Sequence, residues 1–473
     1  MKKFLLTLAA IAAMLPSARA DEGMWMLPLL EKINSDALRN LGSRLTADQI
    51  YSINHSSIKD AVVQFGGGCT GEIISGSGLL VTNHHCGYGS IQALSSEEHN
   101  YLEDGYWASS RSEEIPVPGL SVKFLQKMTD VTGKVKDEKS AEALIAKAVK
   151  ENPHCTAQIV SFFNDNVQYL VIYKVYRDVR FVGAPPAASG KFGGDTDNWM
   201  WPRHTCDFSM FRVYAGADNE PADYSESNVP MVPKQFLNIS LKGIQEGDFA
   251  MIMGYPGRTQ RFQTASQLED MLELNDIRIA ARTVRQDVLW KEMRANDKVG
   301  LQYASKYASS SNGWKKWIGM KEAFAKLNVI GRQEEKEAEL GAWIGEKKGR
   351  IKKYGDPVSE IASGVAGRKA AYQGYTLISE TLSKIELIGL VRAKDASDYK
   401  DYDADVDRKV AHAMVRHYLQ NADPQDRVDV SEEMIDKIFD ESVFTSYDKL
   451  EAARAAGVNL DEDPAAVLQS LAL

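Results

Sequence analysis

The sequence predicts a β-rich segment of barrel or sandwich type followed by a large helical domain, and three observations carry that reading. Between Gln64 and Gly257, short apolar runs alternate with clusters of Gly, Pro and Asn, the pattern of short strands joined by tight turns. From Gly257 to Pro357 there is no proline, and apolar residues recur on one helical face. The chain has 473 residues, room for two or three domains.

Taken in order, residues 1–20 read as an export leader. Lys2 and Lys3 form a basic start, residues 4–15 an apolar run, and Pro16-Ser17-Ala18-Arg19-Ala20 a small-x-small end. The run is too short and wrongly flanked for a lasting membrane helix, so cleavage after Ala20 and a periplasmic or secreted location are expected, with no membrane association afterwards. Strands are expected at 72–75, 79–82, 169–176, 208–214 and 249–253. Beyond Gly257, Leu268, Met271 and Leu272 share one helical face, as do Ile277, Ala281, Val284 and Val288. The helical pattern resumes after Pro357 and breaks near Asp401 and Pro424. These observations divide the chain into 1–20, 21–264 and 265–473.

The formal charge is −9, and loss of Lys2, Lys3 and Arg19 with the leader makes the remainder still more acidic. That balance argues against a nucleic-acid partner. Export permits disulfides among the four cysteines, Cys69, Cys86, Cys155 and Cys206, and four cysteines allow three pairings.

The most informative stretch runs from Cys69 to Cys86: a strand, the glycine turn Gly76-Ser77-Gly78, and a second strand that delivers Asn83, His84 and His85 to its end. An imidazole there suits general acid–base work, because it titrates near neutrality and can take a proton from a hydroxyl and return it to a leaving amine. A pair of turn histidines is the plainer alternative. A zinc hydrolase using His84, His85 and His204 is another, although adjacent residues rarely enter one tetrahedral site and no second ligand pair of standard spacing follows. The stretch resembles the catalytic-histidine region of chymotrypsin-like proteases, in which a disulfide partner directly follows the histidine. That resemblance makes His85 the base and implies a Cys69–Cys86 bridge.

A triad also needs a carboxylate that orients the imidazole, and Asp207 leads directly into an alternating strand. Three longer stretches, Gly190-Lys-Phe-Gly-Gly-Asp-Thr-Asp-Asn-Trp-Met-Trp-Pro-Arg-His-Thr-Cys-Asp207, Thr82-Asn-His-His-Cys-Gly-Tyr-Gly89 and Gly254-Tyr-Pro-Gly-Arg-Thr259, closely resemble the bacterial dipeptidyl peptidase 7 and 11 family. The resemblance implies a chymotrypsin-like double β-barrel with an inserted helical domain. It implies a serine-type enzyme, without metal or organic cofactor, that removes dipeptides from peptides with a free amino terminus. His85 becomes the general base and Asp207 its orienting partner. Asn198, Trp199 and the helical-domain Asn312 become the site that holds the substrate ammonium, and a homodimer is suggested.

The chemistry is sensible, since a desolvated ammonium needs acceptors in place of water, and an Asn oxygen, a Trp carbonyl or a Trp ring face can serve. Cys206 stands where the family pattern leads us to expect glycine, and a Cys155–Cys206 bridge would account for it. In the order His, Asp, Ser the nucleophile comes last, in a Gly-x-Ser-Gly turn, and these 473 residues contain no such tetrapeptide. The second barrel is therefore expected to be incomplete and the polypeptide alone inactive. The rival reading is a non-catalytic peptide-binding protein that keeps Asn198, Trp199 and Asn312.

Overall fold

The computed structural model of the chain describes residues 24–163, 165–257, 262–458 and 460. The expected leader lies outside them, as do Arg258 and Thr259 of the third family-like stretch. Along the chain the strands are β1 (Val62–Phe65), β2 (Cys69–Ile73), β3 (Leu79–Thr82), β4 (Tyr106–Trp107), β5 (Ile115–Pro116), β6 (Val122–Asp130), β7 (Cys155–Phe162), β8 (Val167–Tyr176), β9 (Asp178–Ala184), β10 (Ser209–Ala215) and β11 (Val229–Pro230). The helices used below are α1 (His84–Leu94), α2 (Glu138–Glu151), α3 (Ala265–Ala295), α4 (Asp297–Lys326), α5 (Pro357–Glu380) and α6 (Ala404–Asn421). The described residues form two compact units, one drawn from 1–80, 119–179 and 212–255, the other from 81–118, 180–211 and 256–473.

The first unit is built on an antiparallel ladder in the order β2-β1-β6-β8-β7. Strand β8, between β6 and β7, is apolar on both faces, as the two-residue side-chain period requires of a strand covered twice. Tyr169, Val171 and Tyr173 join Leu125 in one core cluster, with Tyr255 packed against it. Leu170 and Ile172 point the other way, onto Ala148 of α2 and Val131. Helix α2 was not expected within the β region; Asp137 caps it by accepting from the Ser140 amide at 2.8 Å. The turn before β3 needs glycine at Gly78, where φ is +67° and an added Cβ would lie 2.6 Å from the Val213 carbonyl.

The strand expected at 249–253 is absent. Phe249 and Met253 instead pack against Leu30, Leu38 and Ile50, while Ile252 is fully exposed, so their apolar spacing serves a local core and no ladder. The adjoining Gly254-Tyr255 is a packing element. A Cβ on Gly254 would meet Thr70 Oγ1 at 2.6 Å, and that hydroxyl accepts from the Tyr255 amide at 2.8 Å.

In the second unit, β9 carries β4 and β5 as short antiparallel partners. The remainder is mainly helical. Thr264 and Gln267 form a capping box that starts α3, Asn296 caps α4, and Asp356 with Pro357 at the first helical position starts α5. Leu289, Val299, Tyr303, Val406, Val410 and Met414 make the core shared by α3, α4 and α6. No described helix is long and apolar enough to cross a membrane.

Candidate active site

All the residues singled out for chemistry, His85, Asp207, Asn198, Trp199 and Asn312, fall in the second unit. The histidines do not end a strand as expected. β3 stops at Thr82, and His84 begins α1. Asn83 occupies the N-cap position without a capping side-chain bond of its own, so the His85 amide needs an outside acceptor. Asp207 supplies it. Its Oδ1 accepts from the His85 backbone amide at 3.0 Å and its Oδ2 meets His85 Nδ1 at 2.8 Å. Asn83 Nδ2 donates to the Asp207 carbonyl at 3.2 Å and to Oδ2 at 3.3 Å.

One carboxylate thus caps the helix, where the peptide dipole favours negative charge, and orients the ring. Burial works against ionising Asp207, but the hydrogen bonds from the His85 ring and amide, with the neighbouring histidines, hold its carboxyl below the usual range. A carboxylate only accepts, so Nδ1 carries the proton and Nε2 of the neutral ring is left as the acceptor. The His85 side chain is 70% exposed, leaving Nε2 open to a reactant.

His84 has the opposite character. It is 1% exposed, sits edge-on to Tyr88 at 5.7 Å and bonds the Pro185 carbonyl, leaving Nε2 buried without a partner. Burial depresses its basicity, against a smaller pull from the Asp207 charge. Gly190 exists to admit this ring: a Cβ there would lie 2.4 Å from His84 Cδ2.

A second group lies on the loop after Asp197 and on α4. Trp199 Nε1 donates to Asn312 Oδ1 at 2.9 Å and to its carbonyl at 3.0 Å, and Asn198 Nδ2 donates to Asn312 Oδ1 at 3.0 Å. The indole can only donate, so the Asn312 atom facing it must be oxygen. Asn198 must then turn its nitrogen to that oxygen, which leaves its own Oδ1 free to accept. Trp199 holds φ at +60°, a conformation that costs a bulky residue about 1–3 kcal/mol and is kept only where the surroundings enforce it. Lys315 contributes by donating to the Thr196 carbonyl at 2.9 Å, and Lys316 lies 5.9 Å from the Trp199 ring centroid. Gln92 ties α1 to α4, donating to the Gln302 carbonyl at 3.1 Å and accepting from the Ser305 amide at 2.9 Å. Sequence reasoning missed Asn83, Lys315 and Gln92, whose roles depend on backbone groups distant in the chain.

Cys69 and Cys86 are disulfide-bonded. The bridge expected between Cys155 and Cys206 is not formed, because both are free thiols. Cys155 opens β7 in the first unit, whereas Cys206 lies in the second on the loop before β10, where its amide is bonded to the Ser189 carbonyl at 3.0 Å. Among the described residues no group of three or more His, Cys, Asp or Glu side chains is arranged to hold a metal ion, so His84, His85 and His204 do not form the cluster considered above.

His85 thus presents an imidazole oriented through Nδ1 on a side chain that is largely exposed. The chain belongs to the peptidase S46 family, whose model matches residues 20–395. It is 47% identical over 470 residues to dipeptidyl-peptidase 7 of Phocaeicola vulgatus, covering 89% of this chain and 65% of that protein. It is 38% identical over 531 residues to the Asp/Glu-specific dipeptidyl-peptidase of Porphyromonas gingivalis, covering 99% of this chain and 73% of that one. Its fold is similar to that of Porphyromonas endodontalis DPP11 crystallised with the dipeptide Arg-Glu, with a TM-score of 0.85 at 34% identity over 96% of this chain and 73% of that chain. The chain therefore spans about two-thirds to three-quarters of the length of these relatives.

Proposed function

We propose that this chain supplies the base, its orienting carboxylate and the amine-binding site of a serine-type dipeptidyl peptidase. The observation that carries the reading is the 2.8 Å contact of His85 Nδ1 with Asp207, in the same unit as the Asn198, Trp199 and Asn312 cluster. In the proposed reaction, His85 Nε2 takes the proton of a serine hydroxyl as that oxygen attacks the second peptide bond. It then gives the proton to the departing amine, while Asp207 stabilises the imidazolium between the two steps. Asn198 Oδ1 and the Trp199 carbonyl are the acceptors for the substrate's ammonium, and Asn312 holds them in place. Fixing that ammonium a set distance from the scissile carbonyl measures off two residues.

On the same reading, residues 1–20 are an export leader cleaved after Ala20, and the protein works in the periplasm or outside the cell as a homodimer. Residues 21–264 belong to a chymotrypsin-like double barrel and 265–473 to an inserted helical domain. No Gly-x-Ser-Gly occurs in the 473 residues, so no serine here is given the nucleophile's role.

Calorimetry of the purified polypeptide with a dipeptide and its N-acetylated form tests the amine site. The free amine should bind at least about tenfold more tightly, as expected when a buried charge loses its acceptors. Equal binding of the two forms would overturn the assignment. The same polypeptide should release no dipeptide from a chromogenic substrate, and measurable release would show a nucleophile within these residues.

A further inference from the structure

We propose that Arg282 is a positioning residue that sets the orientation of α4 and so aims Asn312 at Asn198 and Trp199. The inference rests on the amine-binding reading above. Arg282 lies on α3, and its Nε and Nη2 grip both oxygens of Glu380 on α5 at 2.9 and 3.1 Å. Its Nη1 donates to the Ser310 carbonyl of α4 at 3.0 Å, and its plane lies 4.5 Å from the Trp317 ring centroid on the same helix. One rigid fork thereby references α4 to two other helices.

The fork lies at the position that matters for Asn312. Ser310 and Ser311, just before it, are 3% and 1% exposed, and the Ser310 hydroxyl is bonded by Arg285 at 2.8 Å and Gln286 at 3.2 Å. Gly313, just after it, leaves room for the guanidinium: a Cβ there would lie 2.7 Å from Arg282 Nη1. Asn312 is thus the exposed residue of a turn seated on Arg282 from both sides. A helix turns as a body, so loosening that seat carries Asn312 Oδ1 away from its two donors. Lysine cannot replace the fork, because it offers a point charge and no plane.

The test is a double-mutant cycle on dipeptide binding, with Arg282→Lys, Asn312→Ala and the pair, and with Glu380→Gln as the milder break in the same clamp. If Arg282 acts through Asn312, each single change weakens free-amine binding by about five- to tenfold and the double variant is no weaker than Asn312→Ala. Losses that multiply in the double variant, or wild-type affinity in Arg282→Lys, overturn the proposal. A second readout needs no ligand. The indole N–H resonance of Trp199, assigned with Trp199→Phe, should move in Arg282→Lys and Glu380→Gln toward its position in Asn312→Ala, and an unmoved resonance overturns the proposal. If the wild-type chain does not distinguish free from acetylated dipeptide, the amine-site reading fails, and the indole readout still decides the role of Arg282.

Discussion

Two of the aspartate–histidine pairs among the described residues, His85 with Asp207 and His55 with Asp48, differ in which atoms they leave free. In the second unit Asp207 grips Nδ1 of His85 and leaves Nε2 facing solvent. In the first unit Asp48 meets Nε2 of His55 at 2.5 Å, and Nδ1 of that ring lies 3.4 Å from the Ser52 hydroxyl. By residue type the second array is the more complete, since it has a serine. Yet Ser52 is 3% exposed, and its oxygen already accepts from the amides of Asn54 and His55 at 3.2 and 3.4 Å. That hydroxyl closes a turn and cannot reach a substrate. What separates the two arrays is which atoms remain uncommitted once local structure has taken its share.

Removing each carboxylate or hydroxyl in turn, with stability read by urea unfolding, separates the two sites. Asp207→Ala takes away the acceptor for the His85 amide at the start of α1 and for the Asn83 side chain, and should cost about 1–3 kcal/mol. The pH dependence has a definite sign. The Asp207 carboxyl is held below its unfolded value, so its contribution is present above about pH 4 and is lost as pH falls through the lower, folded value. The gap between wild type and Asp207→Ala should therefore close in acid, and a gap that stays constant down to pH 2 would contradict the geometry.

Ser52→Ala should cost about 1 kcal/mol by freeing two turn amides, and a fluorophosphonate should leave Ser52 unlabelled in the native protein. Labelling at Ser52 would show that its hydroxyl is available after all. The smallest effect belongs to Asp48→Asn, expected within about 0.5 kcal/mol because the pair is more than half exposed on both sides. A loss as large as that of Asp207→Ala would erase the distinction between the two sites.

The residues that meet in the second unit were read mostly from the family resemblance, with short-range signals beside it. A histidine beside a cysteine after a glycine hairpin, and an aspartate leading into an alternating strand, are short-range signals. The helices from Ala265 onward announced themselves by their apolar period and the absence of proline, and the capping box of Thr264 with Gln267 came only with the structure. What stayed hidden depends on partners far along the chain. The run through His84 and His85 reads as a strand end until Asp207 arrives to cap it as helix. Gly190 looks like loop punctuation until the His84 ring fills the space its missing Cβ leaves. The 249–253 run has the spacing of a strand but is claimed by a small core around Leu30 and Ile50. Arg282 carried no sequence signal beyond Gly313, a glycine inside a helix that costs roughly 1 kcal/mol relative to alanine and so asks for a reason.

The exposed thiol of Cys206 sits one residue before the carboxylate that orients His85, while burial pushes the Cys155 thiol up and makes it slower to react. The native chain thus offers an optical reporter a ready attachment point beside the His85–Asp207 pair. A dye coupled there would report on the surroundings of that pair without any residue being exchanged.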